Sequence, residues 1–159
     1  MLTDPLAARL AAFVRGIGIP VRIGELPIPT FLPGLDIREG ALWIDATRLL
    51  YPGDILHEAG HLAVASAEQR AQPALSPDAA DEMAAIAWSW AAACHLKLEP
   101  GVLFHPAGYK GGSAALIRAF SSGGFFGVPM LHYHGMTIEP RQAAERGVPP
   151  FPHMLRWVR

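Results

Sequence analysis

His57-Glu58-Ala59-Gly60-His61 sets two imidazoles four residues apart with a carboxylate between them. On a helix, positions four apart lie one turn above each other on one face, so both rings can reach one ion. Zinc accepts that arrangement, and Glu58 then stands beside the ion, where it can take a proton from a water. Leu56, Leu62 and Val64 supply an apolar flank that seats the helix on a core. Tyr51-Pro52-Gly53 breaks the chain just before, so the helix is predicted from Asp54, as N-cap, to about Gln69.

Catalytic zinc sites usually take three protein ligands and keep one position open. A third histidine six residues past His61 would complete one such set, but Ala67 stands there. The next carboxylates belong to a second helix, predicted from Ser76-Pro77-Asp78 to about Leu96, with a capping serine, proline at the first position and an acid in the first turn. Glu82 is the favoured third ligand because glutamate reaches further than aspartate. Asp81 and then Asp78 are the alternatives. Hydrolysis also needs a donor for the charge that develops on a carbonyl oxygen. Tyr133 and His134, within Leu131-His132-Tyr133-His134-Gly135, are the catalytic candidates, with His132, His105 and Tyr109 as further donors.

The elements that must position these groups can be read from periodicity and breakers. A first amphipathic helix is expected over Pro5 to Arg15, ended by Gly16 and Gly18. Pro20 to Ile28 reads as extended, and Pro27, Pro29 and Pro33 make an irregular connection. Leu35 to Arg38 and Ala41 to Asp45 flank Glu39-Gly40 as a hairpin, with Leu42 and Ile44 on one face and Trp43 on the other. Gly60 costs its helix roughly 1 kcal/mol against alanine, which close approach of backbone or ligand would offset. Trp88 and Trp90 fall on different faces, so the second helix is expected to be buried over much of its circumference.

Beyond Pro100 glycine and proline become frequent, with short helices expected from Ser113 to Ser121 and Arg141 to Arg146. Gly108-Tyr109-Lys110-Gly111-Gly112 does not fit the spacing of a phosphate-binding loop and reads as a flexible connection. His95 is expected at a helix C-terminus. Phe151, Met154, Leu155, Trp157 and Val158 should dock back on the domain.

The chain has 159 residues, 51% of them apolar, with a net charge of −1. That is enough for one core over 1–159, and it argues against disorder and against a nucleic-acid partner. No apolar run approaches the roughly 20 residues of a membrane span. The N-terminus has an acid and a proline where a signal peptide needs a basic start, and Cys94 is a lone cysteine, so a cytoplasmic setting with Cys94 buried is expected. The fold class expected is α+β: a small hairpin sheet on two central helices over 36–96, wrapped by an irregular segment over 100–159.

The order of hairpin, His57-Glu58-x-x-His61 helix and acid-bearing helix resembles the zincin metallopeptidases of gluzincin type. The compact size is similar to the minimal zincin domain of the ImmA/IrrE-like bacterial proteins. The resemblance covers roughly Asp36 to Leu96, and nothing after Pro100 matches. It implies zinc held by His57, His61 and Glu82, with Glu58 as general base. It also implies a peptide or protein substrate that could pair with the strand Ala41 to Asp45. On that reading the chain is a zinc-dependent hydrolase, most simply a metallopeptidase. The alternatives are a zincin-shaped interaction or regulatory module without turnover, and a hydrolase of non-peptide substrates.

Overall fold

A computed structural model describes residues 1–27 and 29–159 as an α+β arrangement of eight helices and a three-stranded mixed sheet. Ile28, the last residue of the expected extended stretch, lies outside the described residues. Helix α1 (Pro5–Gly16) starts on Asp4, whose carboxylate accepts from the amides of Leu6 and Ala7. It buries Ala7, Leu10, Ala11 and Val14. Strands β1 (Val21–Ile23), β2 (Leu35–Arg38) and β3 (Ala41–Ile44) follow. Glu39 and Gly40 both take left-handed backbone angles, φ 50° and 69°, which suits a two-residue hairpin turn. Leu42 and Ile44 are fully buried, and Trp43 faces away from them under the Arg22 guanidinium.

The sheet order is β1-β3-β2, which corrects one expectation. The strand Ala41 to Asp45 lies in the middle, parallel to β1 and antiparallel to β2, so both its edges are taken. Among the described residues, the edge left for another strand on the hairpin side is that of β2.

The centre is α2 (Asp54–Val64) packed on α4 (Ala79–His95). Gly60 sits at their closest approach. A Cβ there would come within 2.8 Å of the Ala85 carbonyl oxygen and 3.3 Å of the Trp88 ring. The glycine is therefore the condition for the contact, and its propensity cost is offset by packing. Two helix ends differ from the sequence reading. Gly53, not Asp54, occupies the N-cap of α2, and Asp54 is the first helical residue. The helix stops at Val64 because Ala65 is extended; Ser66 then opens a separate turn, α3 (Ala67–Arg70), in a reciprocal cap with Gln69. The last carbonyls of α2 are satisfied from outside the helix. The Arg70 guanidinium donates to Leu62 and Ala65, and the Arg159 amide donates to Ala63 at 2.9 Å.

Helix α4 is capped by Asp78 rather than Ser76. Its carboxylate accepts from the Asp81 amide at 2.9 Å, and the Asp81 carboxylate accepts from the Asp78 amide at 3.2 Å. Trp88 and Trp90 are both buried, as their opposed faces imply. His95 does fall in the last turn, packed between Phe13 and Trp157.

The final third holds more regular structure than its composition suggests: α5 (Pro100–Leu103), a 3-10 turn (Tyr109–Gly111), α6 (Ser113–Ser121), α7 (Val128–Tyr133) and α8 (Pro140–Arg146). The tail docks through Phe151, which is buried, and Trp157, which packs edge-on against Phe13 and Trp88. The Trp88 indole donates to the Trp157 carbonyl at 2.8 Å. Leu155 does not take part; it is 55% exposed. Cys94 is exposed, not buried, because it lies on the outer face of the last turn of α4. No helix is long and apolar enough to cross a membrane.

Asp45, just past β3, ties the connection before the hairpin to the sheet. Its carboxylate accepts from the Thr47 hydroxyl at 2.7 Å, the Leu26 amide at 3.2 Å and the Thr47 amide at 3.1 Å. The Thr47 hydroxyl and the Leu26 amide hold its pKa below the ordinary value. Asp45 therefore stabilises the fold fully above its unfolded pKa of roughly 3.9, and that contribution is lost as pH falls through the lower folded value. Denaturation of Asp45→Asn should show a loss at pH 7 that shrinks below about pH 4, when wild type protonates too. Gly60→Ala should lower stability by about 1–3 kcal/mol in urea titration, since overpacking outweighs the gain in helix propensity.

Candidate metal centre

Three side chains converge where α2 meets α4. His57 Nε2 and His61 Nε2 are 3.3 Å apart; Glu82 Oε1 is 3.4 Å from the first and Oε2 3.0 Å from the second. Each residue offers one donor atom, and the donor atoms lie within 4.8 Å of one another. Two corners of a tetrahedron with bonds of about 2.0–2.1 Å, the zinc–nitrogen length, are separated by about 3.3 Å. The separation of the two nitrogens matches that figure, and each Glu82 oxygen lies at a similar distance from one of them. Both imidazoles are buried, at 8% exposure each, while the Glu82 side chain remains about half open at 45%. The donor set, two nitrogens and one carboxylate with one open side, suits zinc.

Asp81 and Asp78 are not part of the cluster because each carboxylate is spent on the other's amide in the helix cap. Glu82, the next residue on, is free to turn towards the histidines.

Burial pushes the His57 pKa well down, with the neighbouring His61 adding to it and Glu82 opposing. For His61 burial acts the same way and is the largest single effect, but the hydrogen bond it gives to the Glu82 carboxylate, together with the charges of Glu58, Glu82 and Asp81, outweighs it and the pKa ends raised. That bond holds the Glu82 carboxyl below its usual range. Nδ1 of both rings is buried without a protein partner. Nε2 is the atom through which each ring meets the cluster, as its contacts with the other ring and with Glu82 show.

Glu58 points into a cleft of about 1260 Å³ that also receives His57, His61 and Glu82. Burial raises its carboxyl pKa to about 7, against the pull of His61 and with the charges of Glu82, Asp54 and Asp36 adding. A carboxylate poised there is suited to take and return a proton near neutral pH. The cleft is otherwise largely apolar, walled by Leu32, Leu35 and Ile37 on the sheet side and by Leu116 and Phe126 beyond the 3-10 turn. Leu35 to Ile37 belong to β2, so the sheet presents its open edge strand to this space.

The other expected donors divide sharply. Tyr109 lines the cleft, its ring edge-on to His57 at 5.3 Å and its hydroxyl buried. Burial, and then the charges of Asp54, Glu82 and Glu58, raise its pKa against a weaker hydrogen-bonding pull from Ser89, so it stays protonated. His105 lies behind the wall, its Nε2 2.9 Å from Asp54 Oδ1 and its ring stacked on Tyr51 at 3.9 Å. Burial raises the Asp54 pKa, opposed by His105. Tyr133 and His134, the first choices from sequence, do not line the cleft. Helix α7 docks on α4 through Val128 and Leu131, which leaves Tyr133 80% exposed and His134 on the surface beside it. His132 accepts from the Glu139 amide through Nδ1.

Sequence reasoning missed the Asp54–His105 pair, since both residues had been given separate duties, and only their contact 51 residues apart reveals it. It also undervalued Gly108-Tyr109-Lys110-Gly111-Gly112. An aromatic among glycines was the available signal.

Comparison with family models, with curated proteins and with solved structures found no match, so the reading of the site rests on its own geometry.

Titration with zinc, followed by calorimetry, should give about one site per chain. His57→Ala and His61→Ala should abolish it, Glu82→Ala should weaken it at least tenfold, and Asp81→Ala should keep it. Loss in Asp81→Ala with retention in Glu82→Ala would show that the third ligand is the wrong carboxylate.

Proposed function

We propose that this chain is a zinc-dependent hydrolase with a zincin-like centre, most simply a metallopeptidase of gluzincin type. The observation that carries the reading is the convergence of His57 Nε2, His61 Nε2 and the two Glu82 oxygens, with Glu58 beside them in the same cleft. An ion held by these three residues would supply Lewis acidity, acidifying a water and polarising a carbonyl group.

Glu58 accepts one proton from the water as the water oxygen bonds to the carbonyl carbon. When the carbon–nitrogen bond breaks, Glu58 returns that proton to the departing amine, and the carbonyl fragment leaves as a carboxylic acid. A carboxyl with its pKa raised to about 7 can perform both transfers.

A peptide is favoured as substrate because the cleft runs past the open edge of β2, where an extended backbone can add as a further strand. The apolar walls suit its side chains. A cytoplasmic, bacterial setting belongs to the same proposal and rests on the lone cysteine and on the resemblance described above.

Glu58→Gln is expected to retain zinc while its rate on a mixed peptide pool, followed by mass spectrometry, drops by about 10²–10⁴-fold. If wild type and Glu58→Gln are equally inert on broad peptide pools while both bind zinc, the hydrolase reading fails and an interaction module without turnover replaces it.

A further inference from the structure

We propose that Lys110 is a specificity-determining residue whose ammonium group binds the free C-terminal carboxylate of a peptide lying in the cleft. The substrates it selects are peptides cut close to their C-terminal end, with an apolar residue on the released fragment. This deepens the hydrolase reading and rests on it.

The first ground is the charge that the cleft leaves uncommitted. Four carboxylates line it, those of Asp36, Asp54, Glu58 and Glu82, and Lys110 is the one lysine or arginine among the described lining residues. Each acid is occupied within the protein. Asp36 accepts from the Arg38 guanidinium at 2.6 Å and from the Ile37 amide at 2.9 Å. Asp54 is held by His105 at 2.9 Å, and Glu82 meets both imidazoles. Glu58 is the base of the proposed reaction. Lys110 forms no ion pair with any described residue. Its charge is felt at Glu82, where it helps to hold the carboxyl below its ordinary range, yet the two side chains do not join. A peptide's amino terminus therefore meets acids that already have partners, while its carboxylate meets a cation that has none.

The second ground is where the chain puts that cation. The Tyr109 ring is pinned against His57 at 5.3 Å and Phe104 at 5.1 Å. Tyr109 and Lys110 then both take left-handed backbone angles, φ 55° and 52°, which side-chain-bearing residues rarely adopt. Such conformations persist where surrounding contacts enforce them, and they cluster at binding sites. The turn leaves Lys110 on the rim of the cleft, on the wall that α6 continues with Leu116 and Ala119. Ile86 and Phe126 line the same space. An apolar side chain next to the bound carboxylate has these groups to lie against.

The spacing bounds the cut. Exposed charges act on each other over about 8–10 Å at moderate salt. Extended chain covers that distance in about two or three residues, at roughly 3.5 Å each. With the carbonyl at the metal cluster and the carboxylate at Lys110, hydrolysis releases a short fragment. That fragment carries the new amine at one end and the Lys110-bound carboxylate at the other.

The test uses the zinc-loaded protein and short acetylated peptides ending in leucine, each made as the free acid and as the carboxamide. Mass spectrometry locates the cut, and kcat/KM is compared within each pair. Calorimetry in the Glu58→Gln background gives affinities for the same pairs without turnover. Wild type should favour the acid by about tenfold, the strength of one charge-assisted contact at a partly screened site. It should cut within about three residues of that end. Lys110→Met, which keeps the apolar stem, should bring the acid-to-amide ratio close to one, with the loss in KM. Lys110→Arg should retain the preference, and Lys110→Glu should turn it towards the carboxamide. The wild-type preference should also shrink as salt is raised, which a packing role would not produce. Equal handling of acid and amide by an active wild type, or a preference that survives Lys110→Met, overturns this inference alone. A wild type that cleaves neither peptide yet binds the acid more tightly through Lys110 overturns the hydrolase reading and leaves the carboxylate site standing. Absence of both turnover and selective binding removes the two together.

Discussion

The approach of α2 to α4 at Gly60 is the constraint on which the rest of the molecule depends. With hydrogen in place of a side chain, the backbone of α2 rests almost on the Ala85 carbonyl and the Trp88 ring. One turn earlier on α4, the same approach brings Glu82 within 3.0–3.4 Å of two imidazoles. The alanines of α4, Ala84, Ala85, Ala87, Ala91 and Ala92, are all buried, so small residues let the helices draw together along the length of α4. Three donors borne by two rigid helices hold their spacing far better than donors on loops would.

That closeness has an electrostatic consequence. Two imidazoles and two carboxylates are drawn out of water together, and burial shifts them in opposite directions according to their partners. Burial keeps His57 neutral, the Glu82 carboxylate helps to raise His61, and burial pushes Glu58 up to about 7 against the weaker pull of His61. Similar side chains in one cleft thereby acquire different proton affinities, the division that the proposed roles of Glu82 and Glu58 require.

The segment after Pro100 is more than a wrap. It supplies the cleft wall opposite the sheet, the turn that carries Tyr109, and the tail whose Arg159 amide closes α2 by donating to Ala63. Helix α2 is therefore held at its first residue by His105 and near its last turn by Arg159, both from the segment after Pro100.

Much of this was legible before any coordinates. The five residues from His57 to His61 place two imidazoles on one side of a helix with a carboxylate between them, because helical periodicity alone brings positions four apart to one face. The Glu39-Gly40 turn, the alternation of Leu42, Trp43 and Ile44, and the helices at Pro5, Ala79 and Ser113 follow from local preferences that act over a few residues. Tertiary structure decided which carboxylate could serve, because capping geometry consumed Asp78 and Asp81 and left Glu82 free. It placed β3 inside the sheet and β2 at its edge, and it sent Tyr133 to solvent while drawing Tyr109 to His57. Those outcomes depend on contacts between segments dozens of residues apart, and no local pattern of residue types encodes a distance of that kind.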